Sequence, residues 1–128
     1  MNKLIKHLTE MKAFHSRKPA DAYQIKEAEK QLKVKFSREY KEYLENFGEV
    51  SVYGHELTGI CKASRLHVVD VTLKEREYND VPEDFYVIEQ LNIDGIVIWQ
   101  TQSGEIYQTF PNCSPKKIAN SILDFLEE

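Results

Sequence analysis

Cysteine is scarce in this chain: Cys61 and Cys113 are the only two among 128 residues. Two thiols so far apart make no disulfide framework, and the expectation is two buried thiols in a reducing cytosol. Long apolar runs are also missing. Ile96-Val97-Ile98-Trp99 is as long as they get, against the roughly 20 residues of a membrane span. The first residues, MNKLIKHLTEM, lack an apolar core and a small-residue cleavage site, so the expectation is a cytoplasmic protein without a secretory signal. Glycine and proline number five and four, and no Pro/Gly-rich linker, repeat or low-complexity tract divides the chain. The remainder is 41% hydrophobic and 30% charged. That is one globular domain over 1–128, able to bury roughly two-thirds of its unfolded surface without metal or disulfide.

The net charge of −4 is unevenly spread. Residues 1–41 hold 11 Lys/Arg against 5 Asp/Glu, a net +6. Residues 42–128 hold 6 against 16, a net −10. An acidic majority repels nucleic acid and attracts basic proteins.

Apolar spacing predicts a helix over 2–13 through Leu4, Ile5, Leu8 and Met11, then a polar break from His15 to Pro19. Asp21 opens a second helix with Gln24 at the capping-box position. Ile25, Ala28, Glu29 and Leu32 form one stripe of it, opposite Lys26, Lys30 and Lys33. Ser37 caps a third helix bearing Tyr40, Tyr43, Leu44 and Phe47, stopped by Gly48. Val50 to Ile60, broken at Gly54, reads as a hairpin or two short strands. Asp70 caps a short helix to Tyr78, which ends before Val81-Pro82. Phe85–Leu91, Ile96–Thr101 and Glu105–Phe110 form an antiparallel meander, the middle strand covered on both faces. Ser114 and Pro115 predict the start of the last helix, with Cys113 stapled to Ile118. Helices, then strands, then a helix imply an α+β fold. The expected core is residues 21–127, a mostly antiparallel sheet of about five to six strands with N-terminal helices and a C-terminal helix packed on it; residues 1–20 supply an N-terminal helix and loop.

No catalytic pattern survives inspection. His55-Glu56 begins a zinc-protease motif, but Gly59 stands where the second histidine belongs. Gly54 to Gly59 has phosphate-loop spacing, but Ile60 and Cys61 replace the Lys and Ser/Thr. Gly59 is instead a bulge or a close backbone contact. Cys61 lacks a base oriented on it. The acidic run Glu75, Glu77, Asp80, Glu83 and Asp84 lacks the enclosed pocket that acid–base chemistry needs. The sequence therefore predicts no enzyme, no catalytic residue, no metal and no cofactor.

The ordered pieces resemble the SUKH superfamily, which groups a yeast cell-wall-synthesis regulator with many bacterial immunity proteins. The residues are Ile25, Ala28-Glu29 and Leu32; Phe36-Ser37-Arg38-Glu39-Tyr40; Leu44 with Phe47-Gly48; Leu57 with Gly59; Trp99 with Gly104-Glu105-Ile106-Tyr107; and Ser121 to Leu126. The similarity covers 21–127. Ser37 stands where the family has proline, one glycine follows Phe47 where two are common, and residues 63–80 match poorly. The resemblance implies binding and not catalysis: an immunity protein neutralising a basic toxin domain, such as a nuclease, with a regulatory scaffold as the alternative. The expected partner surface is acidic and aromatic, from Glu56, Glu83, Asp84, Glu89, Asp94 and Glu105, with Tyr53 and Trp99 as anchors. No direct nucleic-acid or membrane contact is expected.

Overall fold

The computed structural model describes residues 3–127. In chain order the elements are α1 (Lys3–Glu10), β1 (His15–Ser16), α2 (Ala22–Leu32), α3 (Arg38–Phe47), β2 (Val50–Val52), β3 (His55–Glu56), α4 (Val68–Arg76), β4 (Tyr86–Gln90), β5 (Val97–Gln100), β6 (Ile106–Thr109), β7 (Lys116–Ala119) and α5 (Ile122–Glu127). All strand pairs are antiparallel. They form a three-stranded sheet ordered β1-β2-β3 and a four-stranded sheet ordered β4-β5-β6-β7. A single antiparallel bridge, Leu57 to Glu89, joins the two. The fold is α+β as expected, but with seven strands in two sheets among the described residues.

Several helix ends follow from local chemistry. Asp21 accepts from the Gln24 amide while the Gln24 side chain takes the Asp21 N–H. Ser37 Oγ accepts from the Tyr40 amide. Gly48 ends α3 at φ +71°, a conformation glycine reaches without Cβ strain. Tyr40 and Tyr43 then lock α3 onto the junction of the sheets. The Thr58 hydroxyl donates to Val87 O (2.8 Å), so Tyr40 OH is the donor in its 2.8 Å bond to Thr58. Tyr43 OH donates to Thr58 O (2.7 Å) and accepts from Val50 N (2.9 Å). Burial pushes both phenols well above their ordinary pKa.

The C-terminal third departs from expectation. Residues 116–119 are strand β7, paired with β6, so Ser114 and Pro115 cap no helix and the Cys113–Ile118 staple does not form. The Ser-Pro signal is local, whereas the open edge of β6 offers backbone partners to the segment that follows it across a short turn. The helix begins instead at Ile122, where Ser121 Oγ accepts from Asp124 N (3.0 Å). Glu39, reaching across from α3, accepts from Ile122 N (2.8 Å) and Leu123 N (3.1 Å). These are free amides of a first turn, which favour a carboxylate.

Two shorter corrections concern the middle of the chain. The break after α1 contains strand β1, paired with Val50 and Ser51. Helix α4 starts earlier than Asp70, capped by His67, whose side chain accepts from Val69 N. Val68, Val69 and Val71 are buried, and that packing overrides the weak helix propensity of β-branched residues. The thiols differ from expectation as well: Cys61 is half-buried and Cys113 exposed.

The four-stranded sheet has apolar side chains on both faces. Tyr86, Ile88, Ile98 and Ile106 face the main core with α1, α2, α3 and α5. The alternate positions, Phe85, Val87, Val97 and Trp99, form a second cluster with Val71 of α4. The strand period of two divides them, and α4 covers the outer face.

Candidate functional site

The outer layer begins with Arg76. It ends α4 and donates through Nη2 to Glu83 O (2.9 Å) and Phe85 O (3.2 Å). This binds residues 77–85 back against the helix. Val81 packs on the second cluster, while Tyr78, Asp80, Glu83 and Asp84 remain exposed.

Three shallow clefts follow one another along this strip. The first, about 470 Å³, is lined by Asp84, Phe85, Glu105 and Tyr107. Asp84 precedes β4 while Glu105 precedes β6, and Thr101 N donates to Glu105 O, so the two carboxylates share one end of the sheet. The second cleft, about 380 Å³, includes Glu83, Asp80 and Asn79 together with Lys33 and Arg76. The third, about 310 Å³, shares Asp80 and Asn79 and adds Tyr78 and Phe110. Tyr78 is 73% exposed and Phe110 37%. The strip therefore carries carboxylates along most of its length, with Lys33 and Arg76 among them in the middle cleft, and ends in the exposed rings of Tyr78 and Phe110.

Of the residues expected at a partner surface, Glu83, Asp84 and Glu105 are brought together here. Lys117 sits 3.1 Å from Glu105 and holds its pKa below the usual range. Asp94 is exposed in the β4–β5 turn at the other end of the sheet. Tyr53 is 71% exposed at the β2–β3 turn, with Lys12 Nζ 5.3 Å from its ring centre. Glu56 is held by Arg65 in a two-pronged ion pair (2.6 and 2.8 Å).

Trp99 and Glu89 do not reach a surface. Trp99 is fully buried and donates Nε1–H to Thr109 Oγ1 (2.9 Å), because α4 and the 77–85 segment cover the outer face. Glu89 is 3% exposed, turned inward where the β4 register shifts between Val87 and Glu89. The sequence reading did not single out Tyr78 and Phe110 as exposed aromatics. The available signals were an aromatic just after a helix and inside an acidic run, and an aromatic beside Pro111 at a strand end.

Chemistry elsewhere is muted. Burial pushes the Cys61 thiol above its ordinary pKa, and its S–H faces Ala63 O at 3.5 Å. Among the described residues no group of three His, Cys, Asp or Glu side chains could hold a metal ion. No described helix is long and apolar enough to cross a membrane.

A family model described as SMI1-KNR4 cell-wall, SUKH_5, matches residues 1–128. The chain belongs to the SUKH superfamily. A crystal structure of a protein from Pseudomonas syringae pv. tomato resembles this SUKH protein with a TM-score of 0.80 at 17% identity, covering 100% of this chain and 96% of that one. At that identity the likeness carries the fold alone. No curated protein matches the chain.

One ionic contact ties the two sheets of this SUKH protein together. His55 Nδ1 lies 2.9 Å from Glu89 Oε1, and Glu56 N donates to Glu89 Oε2 (2.8 Å). The imidazole also meets the Phe125 ring edge-on, centres 5.5 Å apart. The hydrogen bond to Glu89 raises the His55 pKa above 6.5, with burial opposing. A raised folded-state value means that the pair stabilises fully below about pH 6.5 and loses this contribution as pH rises through the folded value. Denaturation midpoints measured across that window should fall with rising pH. His55→Gln should flatten the fall, and an unchanged slope would show that His55 is not its source.

Proposed function

We propose that this SUKH protein is a cytoplasmic immunity protein that neutralises a cognate toxin by one-to-one binding and performs no chemistry itself. The observation that carries the reading is the strip from Tyr78 through Asp80, Glu83 and Asp84 to Glu105. Its form suits a basic protein, such as a nuclease domain. Exposed carboxylates steer a cationic partner and raise the association rate, while aromatic groups seated in a cleft set the residence time.

The test is binding to the toxin domain encoded beside it. The triple reversal Glu83→Lys, Asp84→Lys and Glu105→Lys should slow association by about tenfold or more at low salt and flatten the salt dependence. Glu10→Lys, on the exposed side of α1, should change neither. If no complex forms at micromolar concentration and co-expression leaves toxin killing unchanged, the immunity reading fails. The family's cell-wall description favours a second reading, a scaffold for an endogenous protein. Absence of a toxin gene alongside, together with capture of a house-keeping protein dependent on the same three carboxylates, would select it.

A further inference from the structure

A cleft of about 480 Å³ lies between the segment preceding α2 and the turn after Gly59, away from the acidic strip. Two glycines build it. A Cβ on Gly48 would stand 2.1 Å from Lys18 O and 3.2 Å from Ile60 O, and a Cβ on Gly59 would stand 2.0 Å from Gly48 O. Only bare backbone lets Lys18 and Ile60, on opposite walls, come this close. Arg17 N donates to Phe47 O and Glu49 O, Ala20 N to Leu44 O, and Ile60 N to Gly48 O, so both walls are pinned to the end of α3.

The residues lining this space bring cationic and donor side chains to it: Arg17, Lys18, Lys62, His67 and Gln24. The carboxylate of Glu49, 3% exposed, takes Arg17 Nε at 2.7 Å. This orients the guanidinium with its Nε on Glu49, and Arg17 keeps 48% of its side chain exposed. Lys18 and Lys62 line the cleft and form no ion pair among the described residues. His67 accepts from Val69 N through Nδ1 (3.2 Å), so the proton of the neutral ring sits on Nε2. Gln24 spends its carbonyl oxygen on Asp21 N (3.0 Å), which leaves its amide N–H groups. Among the described residues no carboxylate lines the space, and Pro19 and Ile60 supply its apolar surface.

We infer that this cleft binds a small organic phosphate, its phosphoryl oxygens among Arg17, Lys18 and Lys62 and its non-ionic part against Pro19 and Ile60. A carboxylate would leave donors unused. A phosphate monoester brings about −1.5 to −2 charge and three acceptor oxygens, which this donor set matches, and a guanidinium held through Nε presents the planar fork that phosphate accepts. The inference is independent of the toxin-binding reading and uses a different surface.

Cys61 reports on occupancy because it lines the cleft. Cys113, exposed beside Phe110, serves as the internal control. The experiment measures alkylation of both thiols in the full chain with adenosine 5′-monophosphate, inorganic phosphate, adenosine, or sodium chloride of equal ionic strength. A dissociation constant of about 0.1 mM would slow Cys61 alkylation roughly tenfold at about 1 mM adenosine 5′-monophosphate and leave Cys113 unchanged. Inorganic phosphate should protect only at higher concentration, and adenosine not at all. The double reversal Lys18→Glu and Lys62→Glu should abolish the protection, and Lys26→Glu with Lys30→Glu, on exposed turns of α2, should preserve it. Equal protection by sodium chloride or adenosine, or protection that survives the Lys18/Lys62 reversal, would overturn the assignment. Equal potency of inorganic phosphate would overturn its organic part.

Discussion

Replacing Gly48 with alanine is expected to lower stability by about 4 kcal/mol, enough to unfold a marginal domain at moderate temperature. Two effects combine. The backbone there has φ +71° and ψ −58°, outside the regions open to a side chain carrying Cβ. The new methyl would also stand 2.1 Å from Lys18 O. That oxygen cannot retreat easily, because Arg17 N and Ala20 N are bonded to the end of α3 and its neighbour. Gly54 separates the two effects. Its φ is +86°, yet nothing lies within 4 Å of a Cβ placed on it. Gly54→Ala should therefore cost only about 1–2 kcal/mol of backbone strain. Urea denaturation of the two variants decides the matter, and equal losses would remove the steric half of the argument.

Gly48 also shows where sequence reading stops. As the end of α3 it is legible from helical spacing alone, and so are the caps at Asp21 and Ser37, since each depends on groups within four positions. Its contacts with Lys18 and Gly59 arise only when distant segments meet. The same division explains the C-terminus. Ser114-Pro115 carries a sound local helix signal, but strand pairing with β6 takes residues 116–119, and α5 is capped partly by Glu39 from α3. Family membership was readable because it lies in ordered apolar and glycine positions, which periodicity exposes. The candidate surface was only half readable. Charge density pointed to Glu83, Asp84 and Glu105, but surface positions have no period. Nothing in the chain order distinguishes exposed Tyr78 from buried Trp99 until α4 is seen to lie over the sheet.

That distinction predicts opposite behaviour for the two aromatics. Trp99→Ala should cost about 4 kcal/mol, in the range for emptying a large buried aromatic site. The side chain is fully buried among Phe85, Val87 and Val97, and its loss would leave the Thr109 hydroxyl without its donor. Trp99→Phe keeps a ring but loses the indole N–H, and should cost about 1–3 kcal/mol. Tyr78→Ala, at a side chain 73% exposed, should change stability by no more than about 0.5 kcal/mol. If Tyr78 anchors the partner, however, its removal should shorten the residence time of the complex by about tenfold or more. Thermal denaturation read beside dissociation kinetics separates the roles. A stable Trp99→Ala protein would mean that the outer face of the four-stranded sheet is not sealed by this indole, and an unchanged dissociation rate for Tyr78→Ala would remove the aromatic end of the strip from the binding surface.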